Sequence, residues 1–401
     1  MGIPGEMRAL ADKATEDMLR NFWRGDAKTG HMMKEDHGYE TEGDQQMIWA
    51  HAMMLIGMDA MAAVTGEQEM SDRIAAQWAF TKETFSEEEL VRPGMWPNIA
   101  VDDAGWDAMA YMIWYRTTGD PFALKVAGEV IRNSYEYWKD GDVGNGLWYP
   151  QVPPSQGGDA ASRTKSLYSA ALILAAMEYC EETGDDDLFE ETMRLYRWKE
   201  THLLRDGRKE YPGFTLDCDD KLYFIGYNEN RETEKPEEAI GPQGGTTPMS
   251  IHEAGSCGFL GGIMGMGTIH ARLYRRTGDR RYLERALETV YAVTDGIYNQ
   301  NGVLINDRDA WTNGAFARGW AEEVLTLPGV RDKDKELLFN TARSIAENAR
   351  TPKGYYGGSW SGPAEGEGSA WYRAKSMPEQ IMTSATSTNM IIAAALLETL
   401  Q

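Results

Sequence analysis

A short Thr-Gly-acidic motif recurs four times in this 401-residue chain, at residues 65–67, 118–120, 183–185 and 277–279. Each copy follows a stretch whose apolar residues recur at helical spacing. Glycine readily adopts the left-handed conformation that closes a helix, and the acidic residue after it can cap the next helix or interact with its positive end. The motif therefore predicts four tight turns between consecutive helices.

The segments on either side of the motif differ in character. Those before it, such as SLYSAALILAAMEYCE, are small, apolar or aromatic on most faces, whereas those after it, such as DRRYLERALETVYAVTDGIY, carry wide charged faces. Buried helices thus alternate with half-exposed ones. With the GAFARGWAEEVL and DKELLFNTARSIAENAR segments and the two terminal helices, about six helical hairpins result.

We therefore expect an all-α fold, a single-domain (α/α)6 barrel over residues 1–401, in which the outer helices surround the buried ones. The irregular spacing of the motifs leaves a helical solenoid as an alternative. The segment KLYFIGY is the one stretch that could be a short strand.

The composition excludes several classes of protein. A net charge of −23 would repel nucleic acid or an anionic membrane, and no apolar run reaches the roughly 20 residues of a membrane span. Cys180, Cys218 and Cys257 are far apart and odd in number, which argues against a disulfide scaffold or a zinc site. We expect no metal, no cofactor, and a monomer or weak oligomer. As written, the N-terminus shows no signal peptide, so we expect a cytoplasmic protein, or an extracellular one if a signal was removed.

Long loops rich in glycine, proline and aromatic residues separate the hairpins, and loops of this length are usually functional or mobile. Flat aromatic faces hold the apolar faces of sugar rings, so their tryptophans indicate a carbohydrate-binding cleft. The alternative is that such tryptophans fill gaps beneath the loops. The loop tryptophans are Trp96, Trp148, Trp311, Trp360 and Trp371.

Asp102 and Asp103 stand side by side before an apolar helical pattern, in NIAVDDAGWDAMAYMIWY. In a structural interpretation, Asp102 caps the helix and Asp103 complements its dipole. Capping needs only one acid, however, and adjacent carboxylates repel each other, which raises one pKa. Glycoside hydrolysis needs one ionised and one protonated carboxyl group, about 5 to 5.5 Å apart for retention of configuration and about 6.5 to 9.5 Å apart for inversion.

Several segments resemble glycoside hydrolase family 76 in order and spacing, over nearly the whole chain. They are QMIWAHAMMLIGMDAM, VDDAGWDAMAYMIWYRTTGD, GNGLWY, RTKSLYSAALILAAMEYCEETGD, NGAFARGWAEEVL and SWSGP. The resemblance implies an (α/α)6 barrel, endo-α-1,6-mannanase activity and retention of configuration. It also implies that Asp102 is the nucleophile and Asp103 the general acid/base.

The resemblance suggests further substrate-binding residues. Trp49 and His51 match part of the first inner helix, and His51 could bind a sugar hydroxyl or be an ordinary core histidine. Trp148 matches a family tryptophan, whereas Tyr149 replaces a second one. Arg318 matches an element in which Asn313 stands where a lysine is usual.

The remaining candidates come from the loops. Asp307 and Asp309 flank Arg308, where they could bind a sugar or form local ion pairs. Trp96 and Trp360 complete the expected substrate-binding set, and the expected partner is an α-linked mannan or oligosaccharide.

Other functions compete with hydrolysis. A transglycosidase would use the same catalytic residues. A sugar isomerase or epimerase would need central histidines, for which His51, His252 and His270 are candidates. A non-catalytic glycan-binding protein would keep the aromatic residues and tolerate the loss of one aspartate.

Overall fold

A computed structural model describes residues 5–33, 48–91, 101–138, 164–166, 169–211, 214–223, 226–228, 260–305, 312–364 and 378–401. The helices in this part of the chain are α1 (Glu6–Phe22), α2 (Ile48–Thr65), α3 (Gln68–Thr84), α4 (Glu87–Leu90), α5 (Val101–Thr118), α6 (Pro121–Trp138), α7 (Ala170–Thr183), α8 (Asp186–His202), α9 (Leu260–Thr277), α10 (Arg280–Asp295), α11 (Ala317–Gly319), α12 (Asp332–Asn348) and α13 (Ile381–Thr399).

The described strands form four antiparallel two-stranded ribbons. The pairs are β1 (Trp23–Arg24) with β2 (His31–Met32), β3 (Thr164–Ser166) with β6 (Gly226–Asn228), β4 (Gly207–Tyr211) with β5 (Phe214–Cys218), and β7 (Asn299–Gln300) with β8 (Val303–Leu304).

The chain divides into two compact units. The first consists of Met1–Ser86, Ile113–Asp120 and Phe259–Gln401. Within it, α13 packs against α1, α2 and α12, and α9 packs against α10. The second consists of Glu87–Met112 and Pro121–Gly258, and within it α7 packs against α6 and α8. The expectation of a single domain over residues 1–401 stays a prediction.

The four turns predicted from the repeated motif are confirmed. Gly66, Gly119, Gly184 and Gly278 all have left-handed backbone angles, with φ between 68° and 70°. The amide of each glycine donates to the carbonyl four residues earlier, at 2.8 or 2.9 Å, which closes the preceding helix. The conformation strongly favours glycine because other residues meet a steric penalty there.

The acidic residue of the motif caps the next helix at two of the turns. Asp185 accepts from the amide of Leu188 at the start of α8, and Asp279 accepts from the amide of Arg281 at the start of α10. Asp120 instead accepts from the Trp78 indole at 2.8 Å, which ties the turn to α3. The same position in the motif thus has two different roles.

Burial follows the predicted alternation. Nearly every side chain of α7 and α13 is buried, and so are most of those of α2, α5 and α9. By contrast, α3, α6, α8, α10 and α12 bury only one face and expose the other. Helices before the motif therefore lie inside, and those after it lie at the surface.

The GAFARGWAEEVL segment, expected to form part of a helical hairpin, has a mixed helical backbone. Asn313–Phe316 is a 3-10 turn and Trp320–Val324 is a π-helical turn, closed by a bond from the Leu325 amide to the Trp320 carbonyl of 2.9 Å. Glycines account for the close packing of this segment, because a Cβ at Gly314 would collide with the Thr386 carbonyl and one at Gly319 would meet Thr268 at 2.6 Å.

The β4–β5 ribbon was not expected, because consecutive charged residues at 208–210 show no alternation of apolar and polar side chains. The described residues of the KLYFIGY segment lie on either side of residues 224–225, which are outside the described part of the chain. Tyr223 forms a single bridge with Leu204, and strand β6 begins at Gly226.

Candidate active site

Asp102 and Asp103 both lie in the first turn of α5. Asp102 is 7% exposed, and Asp103 is partly exposed. The N-terminus of a helix carries a partial positive charge, which favours the ionised form of a carboxyl group placed there. The pair thus combines burial, which favours neutral carboxyl groups, with a helix end that favours charged ones.

Close packing fixes the start of α5. A Cβ at Gly105 would lie 2.5 Å from the Leu172 amide nitrogen of α7, so glycine is needed for the two helices to approach. Trp106 is fully buried and lies four residues after Asp102, one helical turn further along the same face. The backbone just after the aspartate pair is therefore closely packed against α7.

Asp107 is a residue of this helix that the sequence reasoning missed. It is 2% exposed and lies four residues after Asp103. Burial and the nearby negative charge of Asp107 raise the pKa of Tyr111 well above its ordinary value. The signal was present in DDAGWDAMAY, where a third aspartate recurs at helical spacing from the pair.

His51 is buried in the first unit, as expected of a core histidine. It is 2% exposed, and its Nε2 lies 2.9 Å from the Met33 carbonyl oxygen. A carbonyl oxygen only accepts, so Nε2 carries the proton and donates it. Burial lowers the pKa of His51 to about 4, so the ring is neutral at pH 7. These contacts fit the core interpretation better than sugar binding.

Trp360 was expected to offer its ring to a sugar, but it lies in the interior and is 1% exposed. Its indole Nε1 donates to Ser387 Oγ at 3.1 Å, and this hydroxyl donates to the Gly357 carbonyl at 2.9 Å. The arrangement corresponds to the alternative in which a loop tryptophan fills space beneath its own loop. The physical reason is that both the ring and its polar atom find partners inside the protein.

Arg318, the other expected substrate-binding residue that the structure describes, forms ion pairs with Asp59 and Glu322. Asp59 also pairs with Arg116, in the last turn of α5. The structure thus gives Arg318 two carboxylate partners, and its role in substrate binding stays a prediction.

Asn313 has a structural role that the sequence did not reveal. It is fully buried, and its Oδ1 accepts a hydrogen bond of 2.7 Å from the Gly261 amide in the first turn of α9. The side chain thereby satisfies one of the free amides at the start of that helix.

The other predicted substrate-binding side chains lie outside the described residues, so they stay predictions. They are those of Trp49, Trp96, Trp148, Tyr149, Asp307 and Asp309.

The described residues contain neither a candidate metal site nor a candidate membrane-spanning helix. No group of three or more His, Cys, Asp or Glu side chains in that part of the chain is placed to hold a metal ion. None of its helices is both long and apolar enough to cross a membrane.

Solved structures resemble this chain over almost its entire length. An inactive variant of an α-1,6-mannanase from Salegentibacter sp., with two adjacent aspartates replaced by asparagine and bound to α-1,6-mannotriose, has 16% identity and a TM-score of 0.65; the match covers 98% of this chain and 100% of that one. A family 76 glycoside hydrolase (mannosidase) from Bacteroides thetaiotaomicron has 14% identity and a TM-score of 0.68; the match covers 98% of this chain and 99% of that one.

The chain has the fold of glycoside hydrolase family 76. The predicted resemblance and the all-α, (α/α)6-barrel fold class are thereby confirmed. Dfg5 from Chaetomium thermophilum, solved in complex with glucosamine, is also similar in structure, with a TM-score of 0.60 and 13% identity. The match covers 99% of this chain and 91% of that one. No protein-family model and no curated protein sequence matches the chain.

Proposed function

We propose that this protein is a retaining glycoside hydrolase that cleaves α-mannosidic bonds, in particular α-1,6 bonds, in a mannan or a related glycan. The observation that carries the proposal is the aspartate pair in the first turn of the tightly packed helix α5, in a fold shared with an α-1,6-mannanase. That the inactive variant of that mannanase carries two substituted adjacent aspartates supports the assignment of the pair.

The proposed mechanism divides the work between the two carboxyl groups. Asp102 attacks the anomeric carbon as a carboxylate, and Asp103 gives its proton to the leaving glycosidic oxygen. A water molecule then attacks the glycosyl-enzyme ester, and the Asp103 carboxylate takes up the proton that this water loses. The bond to Asp102 breaks, and both groups return to their starting protonation states. The start of α5 favours the charge on Asp102.

The alternative functions receive less support. A sugar isomerase needs histidines that can exchange protons near pH 7, and burial keeps His51 neutral there with its Nε2 proton committed to the Met33 carbonyl. A glycan-binding protein needs no paired acids, yet both are present. A transglycosidase would share the whole site and differ in accepting a sugar in place of water.

Product analysis tests the reaction class. The purified protein is incubated with α-1,6-, α-1,2- and α-1,3-linked mannans and with α-glucans, and the products are separated over time while proton NMR follows the configuration of the first-formed product. We expect shorter α-1,6-mannooligosaccharides whose new reducing ends are α. Interconversion of free monosaccharides, binding without cleavage, or a β product would contradict the proposal, and longer oligosaccharides would indicate transglycosylation.

Substitution tests the two roles. Asp102→Asn and Asp103→Asn should each lower turnover by several orders of magnitude in a folded protein. With an activated aryl α-1,6-mannobioside and azide, Asp103→Asn should form a glycosyl azide of retained configuration, because azide needs no base to attack the Asp102 ester. Asp102→Asn cannot form that ester, so any glycosyl azide it forms by direct displacement should have inverted configuration.

The chain offers a matched control for these variants. Asp186 and Asp187 are also adjacent aspartates in a first turn, that of α8, but both are exposed. The double variant Asp186→Asn/Asp187→Asn removes the corresponding pair from the first turn of α8. If the pair in α5 serves only to start its helix, this variant should lower activity as much as the substitutions in α5 do. We expect this control to retain full turnover.

A further inference from the structure

Two polar side chains at the start of α13 are buried without a hydrogen-bond partner. Gln380, the residue that precedes the helix, is 8% exposed, and Thr383, in its first turn, is 0% exposed. The described part of the chain gives no partner to Gln380 Oε1 or to Thr383 Oγ1. Buried polar atoms in folded proteins almost always have a partner. Both groups are therefore available to a ligand.

The backbone of the same turn adds two hydrogen-bond donors. The first amides of an α-helix have no carbonyl group within the helix to bind. Among the described residues, the amides of Met382 and Thr383 have no acceptor, the Gln380 side chain does not cap them, and both residues are fully buried. Helical bonding begins with the Ser384 amide, which donates to the Gln380 carbonyl at 3.0 Å. Side chains lean toward the N-terminus of their helix, so the Thr383 hydroxyl lies on the side of the free amides.

Other hydroxyl groups of α13 differ from that of Thr383. Ser384 Oγ accepts from the Tyr356 amide at 3.0 Å. Thr388 Oγ1 is also buried and without a partner in the described part of the chain, but it lies five residues beyond Thr383, where the amides bond within the helix. Free side-chain groups thus meet free amides at the first turn of α13.

The start of α13 lies at the same end of the first unit as the start of α2. Asn389 Nδ2 donates to the Met53 carbonyl at 2.8 Å, and a Cβ at Gly57, one turn further along α2, would lie 3.5 Å from Ile392 Cδ1. Later residues of α2 thus face later residues of α13, so the two helices run parallel. Trp49, which the sequence predicts to bind substrate, belongs to the first turn of α2.

The chemistry of the free groups selects a class of ligand. The two amides donate, whereas the Gln380 amide group and the Thr383 hydroxyl both donate and accept. A phosphate or carboxylate oxygen only accepts, so it would leave Gln380 Oε1 unpaired, and a metal cation would face the two amide donors. A sugar hydroxyl donates and accepts, and none of the four groups carries a net charge. The set therefore matches a neutral, hydroxyl-rich ligand.

We propose that the first turn of α13 is a sugar-binding subsite, in which Gln380 and Thr383 bind hydroxyl groups of a pyranose unit and the amides of Met382 and Thr383 are further donors. This inference rests on the proposed function, because it takes the ligand to be a unit of the glycan substrate. Gln380 keeps a small exposed area, so the subsite borders on solvent. A site built to bind hydroxyl groups discriminates strongly against ligands without them, because its buried polar groups would then stay unpaired.

Isothermal titration calorimetry with α-1,6-mannotriose tests the subsite. The parent is Asp102→Asn/Asp103→Asn, so that the sugar is bound but not hydrolysed. Thr383→Val keeps the shape of the side chain and removes its hydroxyl, and Gln380→Met keeps the length and removes the amide group. We expect each variant to raise Kd about three- to tenfold, which corresponds to the loss of one hydrogen bond to the ligand. Both variants should fold, because neither removes a side-chain hydrogen bond that the described residues make.

The matched control is Thr388→Val, which removes another buried hydroxyl of α13 outside the first turn. Its Kd should stay within about twofold of the parent. An unchanged Kd in both Thr383→Val and Gln380→Met would overturn the subsite, and so would an equal rise in Thr388→Val, which would indicate a general effect on the helix. Inorganic phosphate is titrated in parallel. Phosphate binding that depends on Gln380 and Thr383, without sugar binding, would also overturn the proposal.

Kinetics on mannan separates this inference from the proposed function. In an otherwise wild-type protein, Thr383→Val and Gln380→Met should raise KM more than they lower kcat. If the wild-type protein hydrolyses mannan and both variants keep its KM, the subsite alone is refuted. If the parent binds mannotriose through Gln380 and Thr383 but the wild-type protein hydrolyses no mannan, the hydrolase function is refuted and the subsite stands. A parent that binds no mannotriose would overturn both.

Discussion

The carboxylate of Asp59 pairs with the guanidinium group of Arg116 at 2.6 Å, and the same carboxylate also binds Arg318. Burial alone would raise the pKa of Asp59, but the positive charges of Arg318 and Arg116 outweigh it and hold the pKa below the ordinary value of 3.8. One anion on α2 therefore joins the end of α5 to the segment that contains Arg318.

Removing this shared anion should destabilise the first unit. We expect Asp59→Asn to lower the free energy of unfolding by about 1 to 3 kcal/mol, because two partly buried arginines lose their common partner. Urea unfolding followed by circular dichroism measures the effect. Glu87→Gln, which removes a pair whose two side chains are more than half exposed, is the control and should cost less than about 0.5 kcal/mol. Equal losses in both variants would contradict the shared role of Asp59.

Arg318 should matter for stability and not for substrate binding. Because its guanidinium group is committed to Asp59 and Glu322, we expect Arg318→Gln to lower the unfolding midpoint while KM for mannan stays within about twofold of wild type. Steady-state kinetics below the unfolding temperature measures this. A tenfold rise in KM in a variant that remains folded would show that Arg318 contributes to substrate binding.

His51 should make stability depend on pH. The pKa of His51 in the folded protein is about 4, below the ordinary value of 6.5. At pH values between 4 and 6.5, the unfolded chain therefore binds a proton on His51 that the folded protein does not bind. Stability is then full above pH 6.5 and falls as the pH decreases toward 4, by up to about 3 kcal/mol. In His51→Gln this part of the decrease should vanish. Parallel unfolding curves for both proteins at pH 7, 6, 5 and 4.5 test it, and identical pH dependence would count against a buried neutral histidine.

Trp360 should behave as a core residue. Trp360→Phe removes the indole hydrogen bond to Ser387 and part of the ring volume, and we expect a loss of about 1 to 3 kcal/mol of stability. Because the ring is enclosed, kcat/KM should change less than threefold. Thermal unfolding and kinetics on the same sample separate the two effects. A large fall in kcat/KM with an unchanged melting temperature would show that the ring contacts substrate.

Gly105 should be required for the position of the aspartate pair. Gly105→Ala places a methyl group 2.5 Å from the Leu172 amide nitrogen, which forces α5 away from α7. We expect about 1 to 3 kcal/mol of destabilisation and at least a tenfold lower kcat.

The matched control for this variant is Gly66→Ala, which is strained by its φ of 68° but has open space around the new methyl group. It should destabilise the protein without lowering kcat. If both variants kept full kcat, the packing of Gly105 would not position the catalytic residues.

The sequence predicted local features well because they depend on residues close together in the chain. The glycine turns, the alternation of buried and half-exposed helices and the place of Asp102 and Asp103 in the first turn of a helix all follow from spacing over a few residues. The β4–β5 ribbon escaped prediction because its charged residues do not alternate with apolar ones.

The sequence by itself therefore determined that the chain forms helical hairpins and that an acidic pair begins one buried helix, since helical periodicity and turn chemistry are local. Only the tertiary structure decided which partners the individual side chains have. Arg318 is 259 residues from Asp59, and Trp360 reaches Ser387 of α13, so nothing in their own segments marked them as an ion-pair residue and a core residue. A local pattern tells which face of a helix is buried, but the partner across that face is set by packing between segments far apart in the chain.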